Sequence, residues 1–186
     1  LPAWQNYRLG IPLESLFDEV DERGCYQFQS CIVENLSVTT FKAFSEGYLI
    51  GTPDGLWLKS GMLIERAGLE GKLIYAIEDY NNSIWVSACD ADLQCSIWSL
   101  TGDVWKDVSE GVLNIRVNHL LSTNEKLLAA TDKGIYQWLE NNNTWALIEA
   151  KDDIVWEMRQ NPLASNQILA SSNGKLFFSE DGGKTL

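Results

Sequence analysis

Positive charge is scarce in this sequence of 186 residues: 14 lysines and arginines stand against 26 aspartates and glutamates, a formal net charge of −12. Such a chain repels phosphate backbones and anionic headgroups, which excludes nucleic acid and acidic membrane surfaces as broad partners. Long apolar runs are missing too. No stretch approaches the roughly 20 residues that a membrane helix needs. The opening Leu1-Pro2-Ala3-Trp4 lacks the charged-then-apolar pattern of a signal peptide, so the expectation is a soluble chain, without membrane insertion, from which any export signal has been removed. No window longer than a few turns places apolar residues at i, i+3 and i+4, which removes amphipathic helices as the main element. Histidine occurs once, as His119. Acid–base work needs a partner for it that the sequence does not show, and it reads as a satisfied sheet residue.

What is present is a composition suited to a packed core. With 45% hydrophobic and 22% charged residues the chain falls among ordinary folded domains. A chain of this length buries roughly 70% of its unfolded surface. Eight tryptophans are a heavy aromatic load, and aromatic residues favour strands. The four cysteines form two pairs of equal spacing, Cys25-x5-Cys31 and Cys89-x5-Cys95.

The chain also repeats itself. Large apolar residues flank polar turns at Trp98 and Trp105, at Trp138 and Trp145, and at Phe178 and Leu186, in steps of 40, 40, 40 and 41 residues; Trp57 and Ile64 form an earlier copy. The intervening Thr101-Gly102-Asp103, Asn141-Asn142-Asn143 and Asp181-Gly182-Gly183 are turn formers. Upstream of each lies a second hairpin pattern, in which Thr52-Pro53-Asp54-Gly55 matches Thr131-Asp132-Lys133-Gly134, with Asn173-Gly174 as a later copy. In the second copy the short turn gives way to Cys89-Asp90-Ala91-Asp92-Leu93-Gln94-Cys95, with a cysteine at each foot. Facing strands bring such residues within bonding distance, which assigns a Cys89–Cys95 disulfide. A further short strand precedes each hairpin, at Val38–Phe41, Leu73–Ile77, Val117–Leu121 and Ile154–Met158. About four short antiparallel strands in about 40 residues is the signature of a propeller blade. The expected fold is therefore all-β: a β-propeller, or part of one, with about four four-stranded blades of period about 41.

The last copy ends in Ser179-Glu180-Asp181-Gly182-Gly183-Lys184-Thr185-Leu186. This segment resembles the Asp-box, or BNR repeat, of pattern Ser-x-Asp-x-Gly-x-Thr-Trp, matching at Ser179, Asp181, Gly183 and Thr185 and departing from it at Leu186. Trp105 and Trp145 keep the final aromatic in earlier copies, where the rest of the box is lost. The resemblance implies a propeller in which the Asp caps the outer hairpin through backbone amides and the aromatic fills space between sheets. It does not imply one function, since sialidases, sortilin-like receptors and photosystem assembly factors share the box.

Four blades are expected at 35–70, 71–110, 111–150 and 151–186, the last of them truncated or completed by residues 1–34. That N-terminal segment carries the acidic Asp18, Glu19, Asp21 and Glu22, then Cys25 and Cys31, read by analogy as a second bridged hairpin. Closing a ring removes exposed edges, and residues 1–34 are placed to do so. Four blades make a small propeller, which points to a fragment or to one chain of a larger assembly.

Locally paired cysteines place the chain in an oxidising compartment, periplasmic or extracellular. The competing zinc reading fails on spacing, since five intervening residues exceed the usual knuckle and His119 is remote. Two carboxylates, Asp90 and Asp92, are too few for a calcium site. No metal, cofactor or catalytic residue is expected. A glycosidase of sialidase type is the enzymatic alternative, but it needs three converging arginines, and the five present, Arg8, Arg23, Arg66, Arg116 and Arg159, occupy different repeat positions. The favoured reading is a non-enzymatic extracytoplasmic module that binds a protein partner, the remainder of a larger propeller, or a ligand through its loops. Its candidate binding loop is Asp90, Asp92, Leu93 and Gln94, with the Asn141–Asn143 tip as a second surface. Sequons stand at Asn35, Asn81 and Asn142, which would carry glycans in a glycosylating host and mean nothing in a bacterial one.

Overall fold

The computed structural model describes residues 37–45, 47–61 and 63–185. The Cys25–Cys31 hairpin, the acidic segment, Arg8, Arg23 and Asn35 lie outside the described residues. Among the described residues fifteen strands in sequence order make four antiparallel sheets. The first blade holds β1 (Thr40–Phe44), β2 (Gly47–Thr52), β3 (Gly55–Ser60) and β4 (Leu63–Gly68). The second holds β5 (Leu73–Tyr80), β6 (Ser83–Cys89), β7 (Cys95–Thr101) and β8 (Val104–Asp107). The third holds β9 (Val117–Ser122), β10 (Leu127–Thr131), β11 (Gly134–Leu139) and β12 (Thr144–Glu149). The fourth has three strands among the described residues, β13 (Val155–Asn161), β14 (Ala164–Ser172) and β15 (Lys175–Ser179). Every sheet is a simple meander, and the inner strands pack side by side, β1 on β5, β5 on β9, β9 on β13.

Strand alternation explains where the core lies. Side chains two apart share a face, so each blade offers one face to the blade before it and one to the blade after. On β10, Leu127 and Ala129 pack backward with Trp85 and Ile97 of the second blade, while Leu128 and Ala130 pack forward with Met158, Ile168 and Ala170 of the fourth. Leu49 and Leu56 of the first blade meet Ile74, Ile77, Val86 and Ala88 of the second in the same way. The core is thus three layers, each at a joint between blades. All five residues of β10 are buried, whereas β1 alternates and β15 is largely exposed.

Polar stitches cross the same joints. The Thr39 hydroxyl donates to the Ile74 carbonyl at 2.6 Å, the Ser87 hydroxyl to Val117 at 2.9 Å and the Asn118 amide to Val155 at 2.9 Å. Glu78, buried on β5, accepts from Lys42 of β1 and from the Ser122 hydroxyl of β9 at 3.1 Å, so one carboxylate ties three inner strands together. Burial pushes its pKa up against the opposing pull of Lys42.

The matching Thr-x-x-Gly hairpins have one geometry. Thr52 and Thr131 each donate their hydroxyl to the carbonyl of the glycine three residues on, at 2.8 Å, and each accepts an amide from the second residue after it. The outer hairpins differ from a uniform repeat. In the third blade Trp138 and Trp145 face each other, but in the second Trp105 faces Leu100 and Trp98 faces Asp107. The cause is turn length: Thr101 pairs with Val104 across two residues, Leu139 with Thr144 across four. Both outer-strand tryptophans still reach the preceding blade, Trp105 Nε1 donating to Ala67 at 3.2 Å and Trp145 Nε1 to Val108 at 2.9 Å. Gly68 (φ 114°) allows the first approach, because a Cβ there would lie 2.6 Å from Trp105 Nε1. Trp145 also stacks edge-on with Trp85 and tilts against Trp138, with centroids 6.0 and 5.5 Å away. Trp145→Ala should therefore cost about 3–5 kcal/mol in chemical denaturation. An unchanged midpoint would contradict this assignment of the joint.

Candidate functional site

Three inner strands break their pairing register at one place. On β5, Ile74 pairs with Ala88 and Ala76 with Ser87, leaving Tyr75 unpaired; on β13, Val155 and Glu157 pair with neighbours, leaving Trp156; on β9, Val117 and His119 do so, leaving Asn118. A bulge re-aims the side chain of the extra residue. All three lie where the inner strands begin, on the rim that also carries the β6–β7 and β10–β11 turns and the connectors between blades.

Arg116, just ahead of β9, joins these residues. Its guanidinium carbon stands 5.5 Å from the Tyr75 ring centroid and 6.0 Å from that of Trp156. Its Nη2 donates to Asp132 Oδ1 at 3.0 Å, and the same oxygen accepts from Asn118 Nδ2 at 2.9 Å. Burial works against the Arg116 charge, but the Asp132 carboxylate and Tyr75 outweigh it and raise its pKa. Its Nε is buried with no hydrogen-bond partner among the described residues. Beside it, between the second and third blades, opens a cleft of about 240 Å³ lined by Tyr75, Leu93, Asn114, Ile115, Arg116, Asp132, Lys133 and the Cys89–Cys95 pair.

The disulfide is formed between facing residues of β6 and β7, with Cα atoms 4.0 Å apart. Of the loop above it, Leu93 lines the cleft and is 68% exposed. Asp90 turns inward, its Oδ1 accepting the amides of Asp92 at 3.0 Å and Gln94 at 2.9 Å, while the Gln94 side chain reaches back to the Asp92 carbonyl at 3.4 Å. Asp90 therefore shapes the loop. Among the described residues no group of three His, Cys, Asp or Glu is placed to hold a metal ion.

The other described arginines do not line this cleft. Arg66, on β4, binds Asp54 at 2.7 Å, and Arg159, on β13, pairs with Glu157. At the end of the chain, Ser179 donates to Asp181 Oδ1 at 2.8 Å, and Asp181 accepts the amides of Lys184 and Thr185, each at 2.9 Å, and the Thr185 hydroxyl at 2.7 Å. Those bonds, the Thr185 amide foremost, hold the Asp181 carboxyl well below the usual carboxylate range. This aspartate fastens a turn and faces no other site residue.

His119 departs from the expected satisfied sheet residue, because its Nδ1 is buried without a partner among the described residues. Burial first, and then the charge of Arg159, push its pKa down to about 4. The folded value lies below the ordinary 6.5, so the unfolded chain takes up the proton first. Stability from keeping this ring neutral is complete above pH 6.5 and drains away as the pH falls to about 4. His119→Gln should flatten the loss of stability over that range in denaturation curves. Parallel profiles for the two proteins would contradict it.

No protein-family model and no curated protein matches this chain. Solved structures do. The extracellular domain of the one-component system BT4673 from B. thetaiotaomicron aligns with a TM-score of 0.66 at 14% identity, over 79% of this chain and 22% of that one. The GH74 xyloglucanase from Xanthomonas campestris aligns with a TM-score of 0.56 at 15% identity, over 75% of this chain and 28% of that one. The fold is a β-propeller. The WD40 β-propeller domain of Doa1 gives 0.56 at 15% identity, over 81% of this chain and 54% of that one. The chain thus spans about a fifth to about half the length of these neighbours.

Neither Arg116 nor the bulged residues stood out in the sequence. The available signal was the extra residue that follows Ile74, Val117 and Val155, which interrupts strict alternation in each inner strand.

Proposed function

We propose that this chain is an arc of a larger extracytoplasmic propeller of Asp-box type, serving as a non-enzymatic binding and assembly module. One comparison carries the reading. Leu176 on β15 occupies the repeat position of Ile135 on β11, each one residue into the strand after the inner hairpin; Ile135 is 0% exposed beneath the fourth blade, and Leu176 is 70% exposed. Leu169 and Phe178 are exposed on the same face, and Tyr48 is exposed on the rear face of the first blade. The occupant that fits is a further blade, because the face repeats one that is buried by a blade at every joint inside the chain.

The disulfide supports an oxidising compartment. The Ser179–Thr185 turn supports the Asp-box affinity. The rim with the cleft supplies the binding face, since propellers present ligands to loops held on a rigid frame. Sialidase-type hydrolysis is not favoured, because Arg66 and Arg159 are engaged by Asp54 and Glu157 and neither lines the cleft with Arg116.

Native mass spectrometry of the chain isolated from its source should give a species heavier than 20.9 kDa. Leu176→Asp should release the chain from that assembly, with little change in its own melting temperature because the residue is exposed. A lone 20.9 kDa species would overturn the proposal.

A further inference from the structure

The geometry points to the cleft between the second and third blades as a binding site for a monovalent organic carboxylate with an apolar body. This rests on the reading of that rim as the binding face. Charge sets the sign of the ligand. The Arg116 guanidinium and the Asp132 carboxylate neutralise each other, and both Asp132 contacts, to Arg116 and to Asn118, fall on one oxygen. Lys133, the next residue in the turn, makes no side-chain hydrogen bond or ion pair among the described residues, so its ammonium is the uncompensated charge at the cleft. The Asp90 carboxylate is not part of the lining, where Arg116 and Lys133 stand against Asp132 alone. One surplus positive charge in a chain of net charge −12 matches one carboxylate. A dianion would meet Asp132 and the surrounding field without a second free cation.

The walls set the body of the ligand. The Tyr75 ring, Leu93, Ile115 and the Cys89–Cys95 sulfurs are the apolar lining, and about 240 Å³ admits a single ring. Leu93 is held outward by its positive φ of 59° in a loop that the disulfide closes, so this surface is present before any ligand arrives. Arg116 is held by Asp132 and flanked by the Tyr75 and Trp156 rings, which fixes the floor. Among the hydrogen bonds of the described residues Arg116 spends Nη2 alone, which leaves Nη1 to donate to an incoming oxygen.

Benzoate, benzamide and phenyl phosphate, titrated into the isolated chain and followed by NMR at Leu93, Ile115 and the Trp156 indole, separate the outcomes. Benzoate should bind about tenfold more tightly than its neutral amide, the margin of one charge-assisted contact. Lys133→Met should abolish that preference without moving the melting temperature, and Lys133→Arg should retain it. Equal affinity for benzamide, or tighter binding of phenyl phosphate, would overturn the carboxylate assignment and leave the rim as a binding face. Absence of any shift with all three probes would remove the cleft as a site, whereas failure of the assembly proposal would show only in the native mass.

Discussion

A propeller blade has two apolar faces and can bury both only with a neighbour on each side. That requirement shapes the rest of this molecule. The three core layers sit at the three joints between blades, and within one strand consecutive residues belong to different layers, as Leu127 and Leu128 do. Stability of this kind is held at interfaces between repeats, each contributing to its nearest neighbours. Among the described residues the inner blades satisfy the requirement and the outer ones half satisfy it, which is why Leu176 is exposed where Ile135 is not, and Tyr48 where Leu127 is not.

Polar groups follow the same division. Thr39, Ser87 and Asn118 pair with the backbone of the next inner strand, and Glu78 gathers Lys42 and Ser122 around one oxygen. Buried polar groups placed this way specify how adjacent blades meet, since each would be costly without its partner. The bulges at Tyr75, Asn118 and Trp156 then use the ends of the same strands for a different purpose. Freed from the ladder, Tyr75 and Trp156 flank Arg116, and Asn118 shares Asp132 with it. The rim is thus assembled from three blades, and its geometry is inherited from their packing.

The blade pattern was open to reading from sequence because strand alternation, turn composition and tryptophan spacing all repeat with nearly one period. Thr52 and Thr131, with Gly55 and Gly134, mark their hairpins through a local hydrogen bond that needs no tertiary context. The Cys89–Cys95 bridge was equally local. The register of the outer hairpins was hidden, because Trp98 and Trp105 have the same separation as Trp138 and Trp145 and only turn length distinguishes their pairings. The cleft was hidden for a deeper reason. Tyr75, Arg116 and Trp156 are about 40 residues apart, and only the joining of three blades brings them together. Of the proposed loop, Leu93 lines the cleft, while Asp90 serves the loop itself.

Native-state hydrogen exchange tests the dependence of each blade on its neighbours most directly. In the chain alone, amides of β6, β10 and β11, in blades covered on both faces, should exchange slowest, and those of β2, β3, β14 and β15, in blades with one face uncovered among the described residues, should exchange faster. Equal protection of β14 and β10 would contradict the account, because the fourth blade would then hold its structure without a neighbour on its exposed face.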